Sequence, residues 1–244
     1  MARNAVQLYT LRHLDEPVTD TLERVSDAGY DGVELANQVR SAPVEEVIET
    51  LDRTGLDAAS AHVGLETLEN EYETTVQLYD RLGCETLVIP WLDPEHFETT
   101  ERIADAADRL NSVSRALEGD GKSLAYHNHD QEFVSVDDDI AMNIFLNHTD
   151  ENIGFEIDLG WVTVGGSDPA EFVERYSDRI THVHFADATV ESRTSAELGE
   201  GDLDLSTAAT AVKSVNPEWY IYEHDQPADP IASLTHGLEV LKSL

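Results

Sequence analysis

Eight short apolar runs alternate with eight amphipathic stretches along this 244-residue chain. Apolar runs of this length are typical of buried strands, and apolar residues at three- and four-residue spacing are typical of helices. The predicted strands cover residues 4–9, 31–36, 57–63, 86–91, 123–129, 153–159, 181–187 and 219–224. Strict alternation predicts parallel strands joined by right-handed crossovers, and eight repeats favour closure into a barrel. We therefore expect an α/β fold, a single (β/α)8 TIM barrel, in one domain covering residues 1–244.

The segments between the strands agree with this architecture. The predicted helices cover residues 18–30, 44–55, 68–83, 98–121, 137–148, 169–178, 205–215 and 230–244. An open doubly wound sheet usually carries G-x-G-x-x-G in its first turn, and the segment QLYTLRHLDEP contains no such motif. The stretch from Thr189 to Leu203 is predicted to be a long loop after the seventh strand. Because barrel active sites lie at this face, the loop is a candidate to cover the substrate.

Ionisable residues are concentrated where four of the predicted strands end. They are His127 and His129, Glu156 and Asp158, His182 and His184, and Glu223. Alternation along a strand places such residues on one face, where several buried carboxylates would repel one another unless protons or a cation neutralised them. One divalent ion bound by Asp158, His184, Glu223 and an imidazole from the fifth strand removes this conflict. The pattern therefore predicts a mononuclear metal site at the mouth of the barrel.

The mixed nitrogen and oxygen ligands favour a catalytic ion over a structural zinc site built from thiolates. Manganese is the favoured ion, with cobalt, zinc, iron and magnesium as alternatives. Four protein ligands leave positions for a substrate that chelates through a hydroxyl and a carbonyl oxygen. The ion would stabilise the enediolate formed when the neighbouring C–H loses its proton, and Glu223 is a candidate base for that step.

The charge of the chain limits its partners. Asp and Glu number 50 against 15 Lys and Arg, for a formal net charge of −35. Such acidity opposes binding to nucleic acid or to an anionic membrane, and is typical of proteins adapted to high salt. Cys84 is the only cysteine, and neither a signal peptide nor a membrane-spanning run is apparent. We expect a cytoplasmic enzyme with a small-molecule partner; the sequence does not specify its oligomeric state.

Five segments in order resemble the xylose isomerase-like TIM-barrel superfamily, often described as sugar phosphate isomerase/epimerase. They are GYDGVELAN, YHNHDQEF, FEIDLGWV, HVHFAD followed by GEGDLD, and YIYEHD. The resemblance implies a divalent ion held at the ends of strands 5 to 8, with Asp158, His184 and Glu223 as three ligands. Sugar epimerases of this kind carry on strand 5 a Glu that pairs with the strand-8 Glu as the second base. His127 stands at the matching position here, which is similar to inosose dehydratase.

The resemblance therefore makes His127 the fourth ligand and, with Glu223, a candidate catalytic residue. Glu132, five residues beyond His127, is an alternative ligand or base. Glu34, at the end of strand 2, is a further catalytic candidate near the substrate. The candidate substrate-binding residues are His62, His129, Trp91 and Trp161, the two tryptophans by stacking on a sugar ring. Each of these residues also has a structural explanation in packing or hydrogen bonding.

The leading functional hypothesis is a metal-dependent isomerase or epimerase of a small sugar, keto-sugar or polyol. An inosose dehydratase-like lyase is the close alternative, and a non-catalytic sugar-binding barrel is a remote one. An abasic-site endonuclease would need more His and Asp ligands than the early strands offer, and the net charge opposes DNA binding. Only Arg12 and Arg193 are candidate phosphate partners in the loops, so an unphosphorylated substrate is preferred.

Overall fold

The computed structural model describes residues 2–244 and contains eight parallel strands that close into a barrel. The strands are β1 (Arg3–Gln7), β2 (Gly32–Leu35), β3 (Asp57–His62), β4 (Thr86–Ile89), β5 (Ser123–His127), β6 (Gly154–Asp158), β7 (Ile180–Phe185) and β8 (Trp219–Tyr222). Neighbouring strands pair in chain order, and β8 closes the ring by pairing with β1. The predicted fold class, a single (β/α)8 TIM barrel, is confirmed.

Seven of the eight main helices in the described residues connect successive strands around the outside, and the eighth follows β8. They are α1 (Val18–Ala28), α2 (Val44–Thr54), α3 (Tyr72–Arg81), α4 (Thr100–Gly119), α5 (Ala141–His148), α6 (Pro169–Arg175), α7 (Leu205–Val215) and α8 (Pro230–Ser243). Their apolar faces pack on the strands in one extensive core, as the helical spacing predicts. Gly29 and Gly55 end α1 and α2 in the left-handed conformation, where a residue without Cβ is least strained.

The structure modifies several predicted boundaries. Helix α5 begins only at Ala141, because Ser135–Val136 and Asp139–Ile140 form a short antiparallel hairpin in front of it. The predicted helix over residues 68–83 is divided into Leu65–Asn70 and α3. Short helices also follow some strands, including Leu159–Val164 directly after β6. The predicted long loop after β7 contains a second hairpin, in which Asp187–Thr189 pairs with Thr194–Ala196.

Candidate metal centre

Four side chains meet at the carboxyl end of the barrel. His127 and Asp158 end β5 and β6, His184 lies in β7, and Glu223 follows β8. Asp158 and His184 are partners in the strand register, so their side chains start from adjacent positions. All four residues are buried, and one ligand atom from each lies within 4.8 Å of those from the others. The structure thus brings together the four residues that we predicted as metal ligands.

Direct contacts join this cluster internally. His184 Nδ1 lies 2.8 Å from Glu223 Oε2, and His127 Nε2 lies 4.0 Å from the same oxygen. A second group of candidate ligands, His62 and Glu156 with His127 and His184, lies directly adjacent and shares both of these histidines. The cluster is therefore larger than the four predicted ligands alone.

The carboxylate of Asp158 provides a test of whether a cation fits. Its Oδ1 accepts a hydrogen bond from the Trp161 backbone N–H at 2.7 Å and caps the helix Leu159–Val164. Its Oδ2 is buried with no hydrogen-bond partner, as are Glu156 Oε2 and His127 Nδ1. A buried charged oxygen without a partner is costly, and coordination to a cation removes that cost. The nitrogen and oxygen donors present here fit a divalent ion.

The electrostatics of the cluster depend on burial and on the mutual contacts. Burial raises the pKa of Asp158 well above its usual value, with the nearby Glu223 charge contributing. Burial opposes ionisation of Glu223 too, but attraction to His184 and the other imidazoles outweighs it and lowers the pKa of Glu223 to about 2. Burial lowers the pKa of His127 to about 4. The three carboxylates Glu156, Glu34 and Glu223 overcome burial at His184 and raise its pKa well above the usual value.

Glu34 lies beneath the cluster rather than on a cavity wall. Its carboxylate accepts hydrogen bonds from Gln7 Nε2 and Ser60 Oγ, both at 2.6 Å, and lies 2.7 Å from His184 Nε2. Burial and the charge of Glu156 raise the pKa of Glu34 to about 7. This placement departs from the expectation that Glu34 contacts substrate, because its oxygens are engaged by protein groups below the ligands.

Glu132 is also held away from the ligand cluster. Tyr126 Oη donates to Glu132 Oε1 at 2.5 Å, and the His129 backbone N–H donates to Oε2 at 3.0 Å. One oxygen is thus occupied by a side chain of β5 and the other by the loop that follows β5. Of the two alternatives for strand 5, His127 rather than Glu132 belongs to the candidate ligand groups.

A cavity of about 740 Å³ opens above the cluster. Two of the candidate ligands, His127 and Glu223, form part of its wall. The four predicted substrate-binding residues, His62, His129, Trp91 and Trp161, line it as well. The His129 ring lies between the tryptophans, 4.6 Å from the centroid of Trp91 and 5.7 Å from that of Trp161. This aromatic wall offers the flat apolar surface on which a sugar or cyclitol ring can stack.

His182 does not join the cluster, although it lies only two residues before His184. Its imidazole Nε2 is 3.3 Å from the Ala59 carbonyl oxygen, and its Nδ1 is 3.0 Å from Thr181 Oγ1. Both contacts are made lower in the barrel, so His182 has the structural role of a hydrogen-bonded core residue.

The hairpin after β7, in the segment predicted to be a covering loop, contributes a wall of the cavity. Arg193, Thr194 and Ser195 line the cavity, and Ser195 Oγ contacts His224 Nδ1 at 2.9 Å and accepts from the Asp225 N–H at 3.1 Å. Arg193 forms an ion pair with Asp130 across the cavity mouth. The predicted covering loop is therefore an ordered structure that reaches the loops after β5 and β8.

Asp187 holds this hairpin in place. Its carboxylate accepts backbone hydrogen bonds from Gly199, Gly201 and Leu203 at 2.9–3.1 Å, as well as from Ala188. A Cβ added at Gly201 would collide with this carboxylate, which explains the glycine in the GEGDLD segment. The acceptor role of Asp187 was not predicted, since an Asp at a strand end has no sequence signature that distinguishes a loop anchor from a ligand.

Asp225 is a second residue of the cavity wall that the sequence analysis did not single out. Burial, with the charge of Glu223, raises its pKa to about 7. The only sequence indication was its position two residues after the predicted ligand Glu223, on the same loop.

Residues 22–244 match the family described as xylose isomerase-like TIM barrel. Among curated proteins, the chain is 23% identical to the inosose dehydratase of Lacticaseibacillus casei, over 91% of this chain and 87% of that one. It is 27% identical to the inosose dehydratase of Geobacillus kaustophilus, over 68% of this chain and 60% of that one.

Solved structures share the fold. A sugar phosphate isomerase/epimerase from Parabacteroides distasonis aligns with a TM-score of 0.86 and 21% identity, over 100% of this chain and 99% of that one. The IolI protein, described with a bound zinc atom, aligns with a TM-score of 0.81 and 15% identity, over 99% and 97%. A 3-keto-D-glucoside 4-epimerase from E. coli aligns with a TM-score of 0.72 and 16% identity, over the full length of both chains.

Within residues 2–244, no helix combines the length and apolar character needed to cross a membrane. The relatives by sequence are enzymes, as the sequence analysis expected for this chain. The match over residues 22–244 covers the seven strands after β1 and all but the start of the helical layer. The chain belongs to the xylose isomerase-like TIM-barrel family.

Proposed function

We propose that this chain is a divalent-metal-dependent enzyme that removes a proton beside the carbonyl of a small keto-polyol and expels water from the neighbouring carbon. The observation that carries this proposal is the asymmetry of the cluster. Glu223 is a candidate ligand that also lines the cavity, whereas the opposite ligand on β5 is His127 rather than a second carboxylate. An elimination needs a base that removes the proton and an acid that protonates the departing hydroxyl, so a site with different groups on its two sides suits it. The likeness to inosose dehydratases over 91% of the chain supports the same reaction class.

His127, Asp158, His184 and Glu223 would hold the ion, with manganese favoured and zinc, cobalt, iron and magnesium as alternatives. The chemistry that such an ion supplies when bound is polarisation of a carbonyl, which acidifies the adjacent C–H. Glu223 is the proposed base at that C–H, because it is a carboxylate of the ligand cluster that also lines the cavity.

Elimination also requires an acid that protonates the departing hydroxyl. His62, His129 and Asp225 are titratable residues on the cavity wall that lie outside the proposed ligand set. All three line the same cavity, and the position of the departing hydroxyl decides which of them can protonate it. The tryptophan wall beside His129 would orient the ring that carries this hydroxyl.

The cavity favours an uncharged substrate. Arg12 lies 3.7 Å from the centroid of the Tyr9 ring and donates to the Tyr9 carbonyl, while Arg193 is paired with Asp130. Both candidate phosphate partners are therefore committed to protein groups. Glu223 adds negative charge to the same wall, which disfavours a phosphate ester. An unphosphorylated cyclitol or sugar fits these charges.

Isomerisation or epimerisation of a small sugar or keto-sugar is the second candidate. It shares the proton abstraction by Glu223, and the fold similarity to a sugar isomerase/epimerase and a keto-glucoside epimerase favours it. It requires a group that returns the proton to carbon rather than to a leaving hydroxyl. The cytoplasmic location inferred from the sequence stays a prediction for either reaction.

Incubation of manganese-loaded enzyme with keto-inositol and with candidate keto-sugars in deuterated buffer separates the two reactions. Enone absorbance from keto-inositol supports dehydration, whereas deuterium uptake into recovered sugar without enone supports isomerisation. The variant Glu223→Gln should abolish either signal. Asp168→Asn, which alters a helix-capping carboxylate far from the cavity, should retain it. Absence of both signals, with no cation retained after purification in high salt, would instead indicate a non-catalytic sugar-binding barrel.

A further inference from the structure

Ser195 is a polar residue of the cavity wall that the proposed reaction does not use. It lies in the second strand of the hairpin after β7, where Ala188 is its register partner. Besides the main cavity, it lines a narrow recess together with Asp158, Trp161 and Glu223. Its hydroxyl therefore belongs to the part of the wall that adjoins the candidate metal ligands.

The segment that carries Ser195 is fixed by hydrogen bonds on its carboxyl-terminal side. Glu197 Oε2 accepts hydrogen bonds from Tyr222 Oη at 3.0 Å and from Ser233 Oγ at 2.9 Å. Further along the chain, the Asp187 carboxylate accepts backbone hydrogen bonds at 2.9–3.1 Å. Because these bonds attach the hairpin to β8, to α8 and to the end of β7, the hydroxyl is held in place before any ligand binds.

Protein groups occupy two of the three hydrogen-bonding positions of the Ser195 hydroxyl. The Asp225 backbone N–H donates to Oγ at 3.1 Å, and His224 Nδ1 lies 2.9 Å from the same oxygen. The Gln226 backbone N–H also donates to that Nδ1, at 3.2 Å, so the nitrogen is an acceptor and the hydroxyl directs its hydrogen to it. A hydroxyl has one hydrogen and two lone pairs. One lone pair of Ser195 thus has no partner among the residues that the structure describes.

We propose that Ser195 is a specificity-determining residue whose free lone pair accepts a hydrogen bond from a hydroxyl group of the substrate ring. The inference rests on the proposed function for the class of substrate, a keto-polyol. The aromatic side chains of Trp91 and Trp161 offer a surface to the face of a ring and do not distinguish one hydroxyl from another. A fixed acceptor in the same recess as Glu223 does make that distinction, because an analogue without the hydroxyl leaves the acceptor unpaired. Ser195 therefore selects which ring carbon must carry a hydroxyl.

Binding of monodeoxy analogues tests this role. The probe is keto-inositol, or whichever keto-sugar the manganese-loaded parent protein binds most tightly, and each of its monodeoxy analogues, measured by titration calorimetry. At least one analogue should bind the parent protein about 3–10-fold more weakly than the full compound. The loss is modest because Ser195 is partly exposed, so that water can replace the missing hydroxyl. In Ser195→Ala, this discrimination should disappear while discrimination at other ring positions remains.

Two variants matched in shape separate the hydroxyl from the packing of the side chain. Ser195→Thr keeps a hydroxyl on Cβ and should retain the discrimination, whereas Ser195→Val carries a methyl group in its place and should lose it. Both residue types suit a strand. Ser192→Ala is the control within the same hairpin, because the Ser192 hydroxyl pairs with Thr194 Oγ1 at 2.7 Å and Ser192 is outside the cavity wall. This control should bind every analogue as the parent protein does.

Binding and turnover separate this inference from the proposed function. Loss of discrimination at one ring position in Ser195→Ala and Ser195→Val supports the inference even if the parent protein binds the compounds without dehydrating or isomerising them, and then only the proposed reaction fails. A uniform loss of affinity for every analogue would show a structural role for Ser195. Unchanged discrimination in the folded variants would show that Ser195 does not contact substrate. Either result overturns the inference while the proposed function stands, and a parent protein that binds no keto-polyol overturns both.

Discussion

The unpartnered oxygen of Asp158 leads to a quantitative prediction about stability. In Asp158→Asn, the side-chain oxygen can still cap the helix at Trp161. The raised pKa of Asp158 favours the uncharged carboxyl in the metal-free protein, so the neutral amide should leave the metal-free stability close to that of the parent. The same substitution removes one of the four proposed ligands. Cation binding should therefore fall while the metal-free stability changes little.

The expected size of the effect follows from linkage. A cation present at 100 times its dissociation constant adds about 2.7 kcal/mol to the free energy of unfolding of the parent protein. For a domain of this length, that raises Tm by about 5–11 °C. If loss of the ligand weakens binding about 100-fold, the gain at the same concentration falls to about 0.4 kcal/mol, or about 1–2 °C. Differential scanning fluorimetry with manganese and with chelator measures both shifts.

Asp168→Asn is the matched control for this experiment. Asp168 caps α6 through Oδ1 at 2.8 Å from the Ala170 N–H, so the substitution tests the same change at a helix start remote from the cluster. It should show the full cation-induced shift. A full shift in Asp158→Asn as well, or a large loss of stability of that variant in chelator, would refute the assignment of Asp158 as a ligand.

Three further predictions follow from other parts of the molecule. Burial raises the pKa of Glu132 to about 7, so this carboxyl alone should cost the metal-free fold about 3 kcal/mol as pH rises from about 4.5 through 7. Glu132→Gln should remove that share of the pH dependence in urea titrations, and an unchanged pH dependence would contradict the assignment. Trp91 lies on the cavity wall with 45% of its surface exposed, so Trp91→Ala should raise KM roughly 2–10-fold and leave Tm unchanged. A lower Tm with an unchanged KM would instead show that Trp91 serves packing. The net charge of −35 predicts that Tm rises from about 0.1 to about 2 M KCl, because salt screens the repulsion between the acidic side chains. A Tm that does not change with salt would show that this repulsion does not limit stability.

The elements of the fold were predictable where the sequence is locally consistent. The buried strands read as apolar runs and α4 as a long amphipathic stretch, and both lie close to their predicted bounds. The predicted helix boundaries were wrong where a turn interrupts the periodic hydrophobic pattern. The start of α5 was placed too early, because Asp139–Ile140 pair with Ser135–Val136 in a hairpin instead of belonging to the helix.

The candidate ligands were predictable for a related reason. His127 and Asp158 end strands, His184 lies one residue before the end of β7, and Glu223 follows β8. The carboxyl ends of parallel strands in a closed barrel all lie at the same face. How deep each side chain lies in the barrel was not predictable from the spacing of residues along the sequence alone. Glu34 and Glu132 also lie at or after strand ends, yet hydrogen bonds to their neighbours hold them beneath or beside the cluster.

The sequence by itself determined the barrel and the order of its polar strand ends, because hydrophobic periodicity and strand–helix alternation are local properties of the chain. The tertiary structure alone decided how those ends are used. The three imidazoles around Glu156 come from β3, β5 and β7, and the hairpin over the cavity is tied by Asp187 to residues 12 to 16 positions later. Contacts of this kind depend on distances across the closed barrel, which no local pattern in the sequence records.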